Sequence, residues 1–534
     1  MVERLPDHSV QIEKLDDDIA IEFSPIFNVA FAFIDRHVEE GRGGRFAIFT
    51  RSEKITFAEL SKNVARAGNS LRGLGLPSGE RVLMVVRDSP AFLYAFWGAI
   101  KAGYIAIPVS TMLKAADYAY LIDDSMCSAV IYSDGLDQVV ESSKEPLASK
   151  ATMLPTSWLL NEMPHQTAVL KPAATAPLDD CFWLYSSGST GNPKGVVHRH
   201  RDMVVTSECY GKGVAGLRQD DIVFCASKLF FSYGFGGGMT FPLWAGATTV
   251  LSEERPSADM AFATIAAFKP TYFFCVPTLY GQMLAAMENM RFDLSTIRGA
   301  SSAGEALPAH IFQKWKEATG ISIIDGIGST EVLHIFVSNR HEDNRPGTSG
   351  RPVPGYQVKI VDADGSTLPI GKVGNLWVRG LSNARCYWNN VEKTAGTMRG
   401  EWIDTGDMYY VDPDGYFVNV GRADDMFKVG AMWCSPIEIE AHLLTHPQVR
   451  EVAIVGRTDA DNLVKPAAYI VLKGRAEPHD QMGAELTQFC KAGLAGFKYP
   501  RWITFVDELP KTATGKIQRF RLRQALVEKD KLGC

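Results

Sequence analysis

The run Tyr185-Ser-Ser-Gly-Ser-Thr-Gly-Asn-Pro-Lys-Gly195 contains the residue types of a phosphate-binding loop. Its glycines let backbone N–H groups close around phosphate oxygens, its hydroxyl groups add donors, and Lys194 supplies positive charge. The run is not a Walker A motif, because Gly188 and Gly191 are too close together and Gly195 follows the lysine. By itself it also fits a flexible surface turn. The candidate phosphate contacts are Ser186, Ser187, Gly188, Ser189, Thr190, Gly191 and Lys194.

Six further runs occur in order along the chain. They are Thr56-Phe-Ala-Glu-Leu60, Asp325-Gly-Ile-Gly-Ser-Thr-Glu331, Asn375-Leu-Trp-Val-Arg-Gly380 with Tyr387-Trp-Asn389, Thr405-Gly-Asp407, Gly421-Arg-Ala-Asp-Asp425 and Pro510-Lys-Thr-Ala-Thr-Gly-Lys516. Together they resemble the signature of the adenylate-forming superfamily of acyl-CoA synthetases, luciferases and nonribosomal peptide adenylation domains. The resemblance covers nearly the whole chain. It implies an ATP-dependent carboxylic acid:CoA ligase that forms an acyl-adenylate and pyrophosphate, then acyl-CoA and AMP.

The resemblance also assigns nucleotide and Mg²⁺ contacts to polar residues in these runs. The hydroxyl group of Thr330 is expected to hold the α-phosphate, and Glu331 to ligate Mg²⁺ between phosphates, since this hard cation prefers oxygen. Asp407 is expected to accept hydrogen bonds from the ribose hydroxyls, with Arg422 donating nearby. Taken alone, Glu331 would be an ordinary solvated carboxylate. The remaining nucleotide contacts implied by the family are Gly304, Glu305, Asp325 and Gly326.

Lys516 is the predicted catalytic cation of the first half-reaction. A carboxylate attacking the α-phosphate brings two anions together, so the step needs positioning and cations rather than a general base. In the family this lysine bridges the acid and the phosphate. The alternative is a solvated lysine in a basic tail that also contains Lys511, Arg519 and Arg523.

Gly421 to Asp425 resembles the family's hinge, with Asp424 as the pivot. After adenylation the C-terminal domain is expected to rotate, withdrawing Lys516 and presenting Lys428 to the pantetheine tunnel for thioester formation. Ala431 stands where relatives usually have glycine, so its methyl group is expected to narrow the tunnel or add backbone strain.

Three runs, Lys228-Leu-Phe-Phe-Ser-Tyr-Gly234, Ser301-Ser-Ala-Gly-Glu-Ala-Leu-Pro308 and Asp325-Gly-Ile-Gly-Ser-Thr-Glu-Val-Leu-His-Ile-Phe336, resemble those of the benzoate-CoA ligase subfamily. Ser232 replaces the aspartate with which amino-acid-activating relatives pair an α-amino group, which disfavours an α-amino acid. The substrate is therefore expected to be benzoate or a hydroxy- or aminobenzoate, with the Ser232 hydroxyl facing the ring or bonded to backbone. His334 is alternatively a satisfied histidine behind the pocket. The expected substrate contacts are Phe231, Ser232, Tyr233, Ser302, Ala303, His334 and Ile335.

Alternating apolar patterns predict the elements that position these residues. Runs at 81–86, 128–133, 247–252 and 271–276 predict buried strands, and those at 90–103, 258–268 and 277–290 predict helices. We therefore expect an α/β fold: a large N-terminal body of α/β layers with parallel-rich sheets plus a small antiparallel β section after Gly347. A small mobile α+β C-terminal domain follows. The predicted boundaries are residues 1–422, a hinge at 423–425, and 426–534.

Composition limits the cellular setting and the partners. The formal charge is 55 − 61 = −6, so no basic field favours nucleic acid or an anionic membrane. The start of the chain has no apolar signal-peptide core, and the nine cysteines include no CxxC pair. We expect a cytoplasmic monomer or homodimer with reduced thiols, acting on an aromatic acid, ATP and CoA.

Other functions share these features. A stand-alone adenylation domain that loads a carrier protein, and a ligase for another small carboxylic acid, remain the alternatives. A luciferase-type oxygenase has the same first half-reaction, and an inactive nucleotide sensor would have the same fold.

Overall fold

The computed structural model describes residues 5–15, 18–144, 150–186, 192–288, 290–429, 432–459, 463–474, 481–511 and 517–531. The chain forms two compact units. The first comprises residues 1–187, 193–358 and 378–403, and the second comprises 188–192, 359–377 and 404–534.

The strands are numbered in chain order. They are β1 Val10–Lys14, β2 Ile19–Phe23, β3 Phe46–Phe49, β4 Lys54–Thr56, β5 Arg81–Val85, β6 Ile105–Pro108, β7 Ala129–Tyr132, β8 Thr152–Pro155, β9 Asp180–Ser186, β10 Lys194–Arg199, β11 Ile222–Cys225, β12 Thr248–Val250, β13 Tyr272–Cys275, β14 Gly299–Ser302, β15 Ile323–Gly328, β16 Ile335–Ser338, β17 Arg351–Pro352, β18 Tyr356–Val361, β19 Gly374–Gly380, β20 Cys386–Tyr387, β21 Met398–Arg399, β22 Trp402–Val411, β23 Phe417–Arg422, β24 Phe427–Val429, β25 Met432–Cys434, β26 Val449–Thr458, β27 Val464–Leu472 and β28 Trp502–Phe505.

The α-helices are numbered in the same way. They are α1 Arg36–Glu39, α2 Phe57–Arg72, α3 Pro90–Ala102, α4 Ala115–Ser125, α5 Asp137–Glu141, α6 Thr156–Glu162, α7 His200–Thr206, α8 Ser232–Phe235, α9 Phe241–Ala245, α10 Ala258–Phe268, α11 Pro277–Met287, α12 Ala309–Thr319, α13 Val391–Thr397, α14 Pro436–Leu443, α15 Met482–Gly493 and α16 Arg519–Lys531. Short π-helical turns lie at Phe31–Asp35, Ser207–Lys212 and Gly236–Thr240, and 3₁₀ turns at Ser142–Lys144, Met163–His165 and Thr330–Val332.

Two large sheets form the body of the first unit. One has the order β20-β10-β9-β6-β5-β7-β8 and the other the order β17-β16-β15-β14-β13-β11-β12-β3-β4. Their central strands pair in parallel, while pairs near the edges, such as β9 with β10 and β15 with β16, are antiparallel. Short β-branched runs joined by helices produce this pattern, because a parallel pair needs a crossover connection. The predicted parallel-rich α/β body is confirmed.

Local sequence signals fix the ends of the helices. Thr56 caps α2 by accepting from the backbone N–H of Glu59, whose side chain accepts from the N–H of Thr56 in return. Pro90 begins α3, and Gly103, with φ of +93°, ends it. Every residue of α3 after Pro90 is buried, which explains its largely apolar sequence. No helix in the described part of the chain is long and apolar enough to cross a membrane.

A small sheet has the order β18-β19-β22-β21, with β23 beside β22, and its β21–β22 and β22–β23 pairs are antiparallel. The antiparallel section predicted after Gly347 is thus confirmed. In the second unit, β26 pairs antiparallel with β27, and β27 pairs parallel with β28. Helices α14 and α15 contribute Ile439, Leu443 and Leu486 to the core beside these strands. This is the predicted α+β pattern of the last part of the chain, while its boundaries at 423–425 stay a prediction.

Candidate functional site

Strands β9 and β10 carry the described ends of the glycine-rich run. Ser186, the last residue of β9, lies opposite Lys194, the first residue of β10. The predicted loop therefore begins and ends at the same end of this strand pair. The Lys194 ammonium lies 5.3 Å from the ring centroid of Tyr387, within the range of a cation–π contact. Five predicted phosphate contacts lie outside the described residues: Ser187, Gly188, Ser189, Thr190 and Gly191.

Tyr387 connects this hairpin to the predicted Mg²⁺ ligand. Its hydroxyl donates to Glu331 Oε1 at 2.7 Å, and the Ser186 hydroxyl reaches the same oxygen at a marginal 3.5 Å. The structure therefore brings Ser186, Lys194 and Glu331 together. Tyr387 is a residue that sequence reasoning missed: it lies in a quoted family run, but nothing in its type or spacing indicated a contact with Glu331.

Thr330 and Glu331 lie in a 3₁₀ turn between β15 and β16. The Thr330 hydroxyl forms no hydrogen bond with another described residue. Leu333, directly after the turn, has φ of +74° although it is not glycine. Such a conformation costs on the order of 1–3 kcal/mol and persists only where the surroundings impose it. The turn is therefore strained and held by its neighbours.

Ser302, at the carboxyl end of β14, lies opposite Asp325 in the middle of β15. Asp325 is buried, and its Oδ2 accepts from the backbone N–H of Leu307 at 3.2 Å. Burial raises the pKa of Asp325 to about 7. The Ser302 hydroxyl lies close enough to lower that pKa. Within the described residues, neither this hydroxyl nor the buried Oδ1 of Asp325 has a hydrogen-bond partner.

The other three predicted nucleotide contacts near these strands differ in exposure, since Gly304 is exposed, Glu305 is half-buried and Gly326 is buried. Gly304 has φ of +94°, which glycine tolerates without strain. Glu305 Oε2 accepts from the hydroxyl of Thr278 at 3.1 Å. Gly326 is buried, and a side chain there would meet the carbonyl oxygen of Val337 at 2.7 Å.

Of the predicted substrate residues, Tyr233 contacts the buried ring of His334, with ring centroids 5.5 Å apart. His334 donates through Nε2 to the carbonyl oxygen of Tyr233 at 3.2 Å, and its ring packs on Tyr210 and Phe241 at centroid distances of 5.4 and 4.4 Å. Burial lowers the pKa of His334 to about 3, so the ring is neutral, and its buried Nδ1 is an acceptor that has no partner among the described residues. Gly236 makes this packing possible, because a Cβ atom there would lie 2.3 Å from His334 Cδ2.

The remaining substrate candidates divide by exposure. Ser302, Ala303 and Ile335 are buried, and the hydroxyl of buried Tyr233 donates to the carbonyl oxygen of Ser301 at 2.9 Å. Phe231 and Ser232 are half-buried where α8 begins, and the Ser232 hydroxyl forms no hydrogen bond with another described residue. Tyr210 was missed by sequence reasoning, because its partner Ser301 lies 91 positions away, at 2.7 Å between hydroxyl oxygens.

The second unit contains the other predicted nucleotide contacts. Asp407 and Arg422 lie opposite each other on β22 and β23, and the guanidinium donates to Asp407 Oδ1 at 3.2 Å and to the carbonyl oxygen of Thr405 at 2.8 Å. Gly406, with φ of +70°, leaves room for that guanidinium. Side by side, the carboxylate and the guanidinium offer an acceptor and donors to a pair of hydroxyl groups.

The predicted hinge and catalytic lysines also belong to the second unit. Asp424 is exposed, and its neighbour Asp425 pairs with Arg523 at 2.7 Å. Lys428 is exposed on β24. Lys516 and Ala431 lie outside the described residues.

Comparison with known proteins identifies relatives of the whole chain. Residues 34–388 match the model of the AMP-binding enzyme family, and residues 438–516 match that of the AMP-binding enzyme C-terminal domain. The benzoate–CoA ligase of Thauera aromatica is 44% identical over 522 residues, covering 95% of this chain and 97% of that protein.

Two solved structures have the same fold. The anthranilate CoA ligase AuaEII in complex with anthranoyl-AMP superposes with a TM-score of 0.91 at 42% identity, covering 94% of this chain and 98% of that one. A benzoate CoA ligase from Burkholderia xenovorans LB400 superposes with a TM-score of 0.86 at 43% identity, covering 93% and 100%.

Proposed function

Because the chain belongs to the AMP-binding enzyme family, we propose that it is an AMP-forming aryl carboxylic acid:CoA ligase acting on benzoate or a hydroxy- or aminobenzoate. Its substrates are the aromatic acid, ATP and coenzyme A. The observation that carries the proposal is the buried, aromatic surroundings of His334, next to the turn that contains Thr330 and Glu331. That arrangement suits a flat ring whose carboxylate reaches a nucleotide phosphate.

In the first half-reaction a carboxylate oxygen of the acid attacks the α-phosphorus of ATP. The new P–O bond forms as the bond to the β-phosphate breaks, and pyrophosphate leaves. The chain's contribution is to hold both anions and balance the charge that develops. We assign Thr330 and Lys194 to the phosphates, Asp407 and Arg422 to the ribose, and Lys516 to the reacting carboxylate and phosphate.

In the second half-reaction the thiol of CoA releases its proton to solvent and its sulfur bonds to the acyl carbon. The bond between that carbon and the phosphate oxygen breaks, so that AMP leaves. Lys428 is assigned to this step, with Asp424 as the pivot of a domain rotation between the two half-reactions. These assignments rest on family resemblance, and Lys428 fits its role in being an exposed cation on a short strand.

Glu331 is suited to bind Mg²⁺. One carboxylate oxygen is oriented by Tyr387, while Oε2 accepts no hydrogen bond from a described residue. When bound, the cation would neutralise charge on the phosphates. Among the described residues, no three His, Cys, Asp or Glu side chains form a metal cluster, so the phosphates would supply most of the other ligands.

Unpartnered polar atoms favour a ring with a polar substituent. His334 Nδ1 and Ser302 Oγ are buried without partners, and the Ser232 hydroxyl is also unbonded among the described residues. A ring hydroxyl or amino group would donate to such acceptors, and leaving them unpaired is costly. The likeness to an anthranilate CoA ligase points the same way.

A panel of acids tests the proposal. Benzoate, 2-aminobenzoate, the hydroxybenzoates, phenylacetate, cyclohexanecarboxylate and short fatty acids would each be assayed for AMP release with CoA. We expect benzoate or a substituted benzoate to have the highest kcat/KM. A preference for fatty acids would contradict the aryl assignment, and AMP release that required a carrier protein instead of CoA would favour the adenylation-domain alternative.

We also propose a cytoplasmic location and a monomeric or homodimeric state. Eight described cysteines are free thiols, seven of them buried, which suits a reducing compartment. Light scattering at several protein concentrations would determine the oligomeric state.

A further inference from the structure

Three consecutive backbone carbonyl groups of the Thr330–Val332 turn are each held by a donor from elsewhere in the first unit. The Thr330 oxygen lies 2.8 Å from Nε2 of His198, and the Glu331 oxygen accepts from the backbone N–H of Ala384 at 2.8 Å. The Val332 oxygen accepts from the Ser382 hydroxyl at 2.8 Å. We call these three bonds the carbonyl clamp. Two of its donors are side chains, so substitution can remove them singly.

The His198 ring is held by hydrogen bonds at both nitrogen atoms and by stacking against one aromatic ring. Its Nδ1 lies 2.9 Å from Oδ2 of Asp202, and its ring stacks on Phe182 with centroids 5.1 Å apart. Neither His198 nor Asp202 is exposed to solvent. A carbonyl oxygen can only accept hydrogen bonds, so Nε2 must donate to Thr330. The hydrogen bond between Nδ1 and the Asp202 carboxyl group, whose proton lies on one of these two partners, sets the tilt of the ring that aims the Nε2 donor.

The Ser382 hydroxyl likewise takes part in two buried hydrogen bonds. Its single hydroxyl proton is donated to Val332, so its oxygen accepts from the hydroxyl of Tyr356 at 2.7 Å. Tyr356 and Ser382 are both buried, which leaves no water to compete for these groups. Tyr356 therefore satisfies the oxygen of Ser382, while the proton of Ser382 holds Val332.

The clamp acts on a segment that would not hold this shape alone. Leu333 has a positive φ of +74° directly after the turn, which is unfavourable for a residue other than glycine. If a clamp bond is lost, the turn can relax toward ordinary backbone angles. That relaxation would move the Thr330 hydroxyl and the Glu331 carboxylate, the two groups assigned to the α-phosphate and Mg²⁺.

We infer that His198, oriented by Asp202, and Ser382 are positioning residues for adenylation. They touch neither substrate nor cation, and act by holding the carbonyl groups of the turn that presents Thr330 and Glu331. This inference rests on the proposed function. The competing interpretation is that they only stabilise the core, in which case both half-reactions would suffer alike.

Two substitutions of His198 separate these interpretations. In His198→Gln the amide nitrogen extends about as far as Nε2 and can still donate to Thr330, while the bond to Asp202 is lost. In His198→Asn the amide reaches about as far as Nδ1, so the bond to Thr330 is lost instead. We expect His198→Asn to lower kcat for pyrophosphate release by roughly 10- to 100-fold and to raise the Mg²⁺ requirement. His198→Gln should restore most of that loss.

Ser382→Ala provides a second variant with a small change in volume. It should show the same signature as His198→Asn, with slower adenylation and a higher Mg²⁺ requirement. Tyr356→Phe is its matched control, because it removes the hydroxyl behind Ser382 but leaves the Ser382 donor to Val332, so adenylation should stay near the wild-type rate.

The readout that separates positioning from stability is the second half-reaction. Each variant would be given benzoyl-adenylate and CoA, and thioester formation should match the wild type in all of them. Wild-type adenylation kinetics in both His198→Asn and Ser382→Ala would overturn the inference, as would an equal loss in both half-reactions. The wild-type enzyme, assayed with benzoate and ATP, distinguishes failure of the proposed function from failure of the carbonyl clamp. If the wild type is inactive, the proposed function is wrong. If the wild type is active and the variants adenylate at the same rate, the inference about the clamp is wrong.

Discussion

Replacing Tyr387 by phenylalanine should weaken adenylation by removing one hydrogen bond to Glu331. The hydroxyl donates to a carboxylate at 2.7 Å, and a hydrogen bond to a charged group contributes about 1.5–3 kcal/mol. Glu331 is half-buried, so solvent screening lowers the expected value to about 1–2 kcal/mol. Since about 1.4 kcal/mol corresponds to a factor of ten, kcat/KM for Mg·ATP should fall roughly 5- to 30-fold. The Ser186 hydroxyl, at 3.5 Å, is too distant to replace the lost donor.

Pyrophosphate release at varied Mg²⁺ and saturating benzoate would measure this effect. Tyr132→Phe is a matched control, because its buried hydroxyl donates to the Glu141 carboxylate at 2.8 Å and has no role in the proposed mechanism. We expect the control to keep the wild-type kcat/KM. The reasoning would be refuted if Tyr387→Phe kept it too, or if both variants lost activity equally.

Three further predictions address stability, the two half-reactions and selectivity. Asp325 has a folded pKa of about 7, above its value of 3.8 in an unfolded chain, so its contribution to stability is complete below pH 3.8 and is lost as the pH rises through 7. The midpoint temperature of thermal unfolding should therefore decrease less between pH 5 and pH 8.5 in Asp325→Asn than in the wild type. An equal decrease in both proteins would contradict the raised pKa of Asp325. Lys516→Ala should abolish adenylation yet convert supplied acyl-adenylate to thioester, whereas Lys428→Ala should do the reverse; wild-type adenylation by Lys516→Ala would contradict its assignment. Ser232→Ala should lower the kcat/KM for the preferred hydroxy- or aminobenzoate about fivefold relative to benzoate, as expected for one neutral hydrogen bond; an unchanged ratio would mean that Ser232 does not meet the ring substituent.

The secondary structure was largely readable from the sequence because its signals are local. The run at 271–276 contains strand β13, and the run at 90–103 contains helix α3, which Pro90 begins and Gly103 ends. Apolar periodicity and end signals depend on neighbouring residues, so one sequence suffices to find them. Which strands pair is less accessible, because β9 and β10 form an antiparallel pair inside a mostly parallel sheet without any distinct pattern of their own.

The site shows the same division. Thr330 and Glu331 stand in a recognisable run, and their surroundings are suited to the expected roles. The groups that orient them were not predicted: Tyr387 lies 56 positions from Glu331, and His198 lies 132 positions from Thr330. Four positions separate His198 from Asp202, but that spacing is common and carries no signal until the strand and helix around it are known. Contacts of this kind depend on the tertiary fold, which cannot be derived from the local patterns of a single sequence.

The pairing of strand β3 with strand β12 can form only once β12 has also been synthesised. Residues Phe46–Phe49 pair in parallel with Thr248–Val250, about 200 positions later in the chain. At about 5–20 residues per second, the nascent chain holds this apolar segment for roughly 10–40 s before its neighbour is synthesised. Through that interval an unpaired strand edge is open to wrong partners. Early synthesis of this protein is thus a stage at which chaperone binding near residue 48 would be productive.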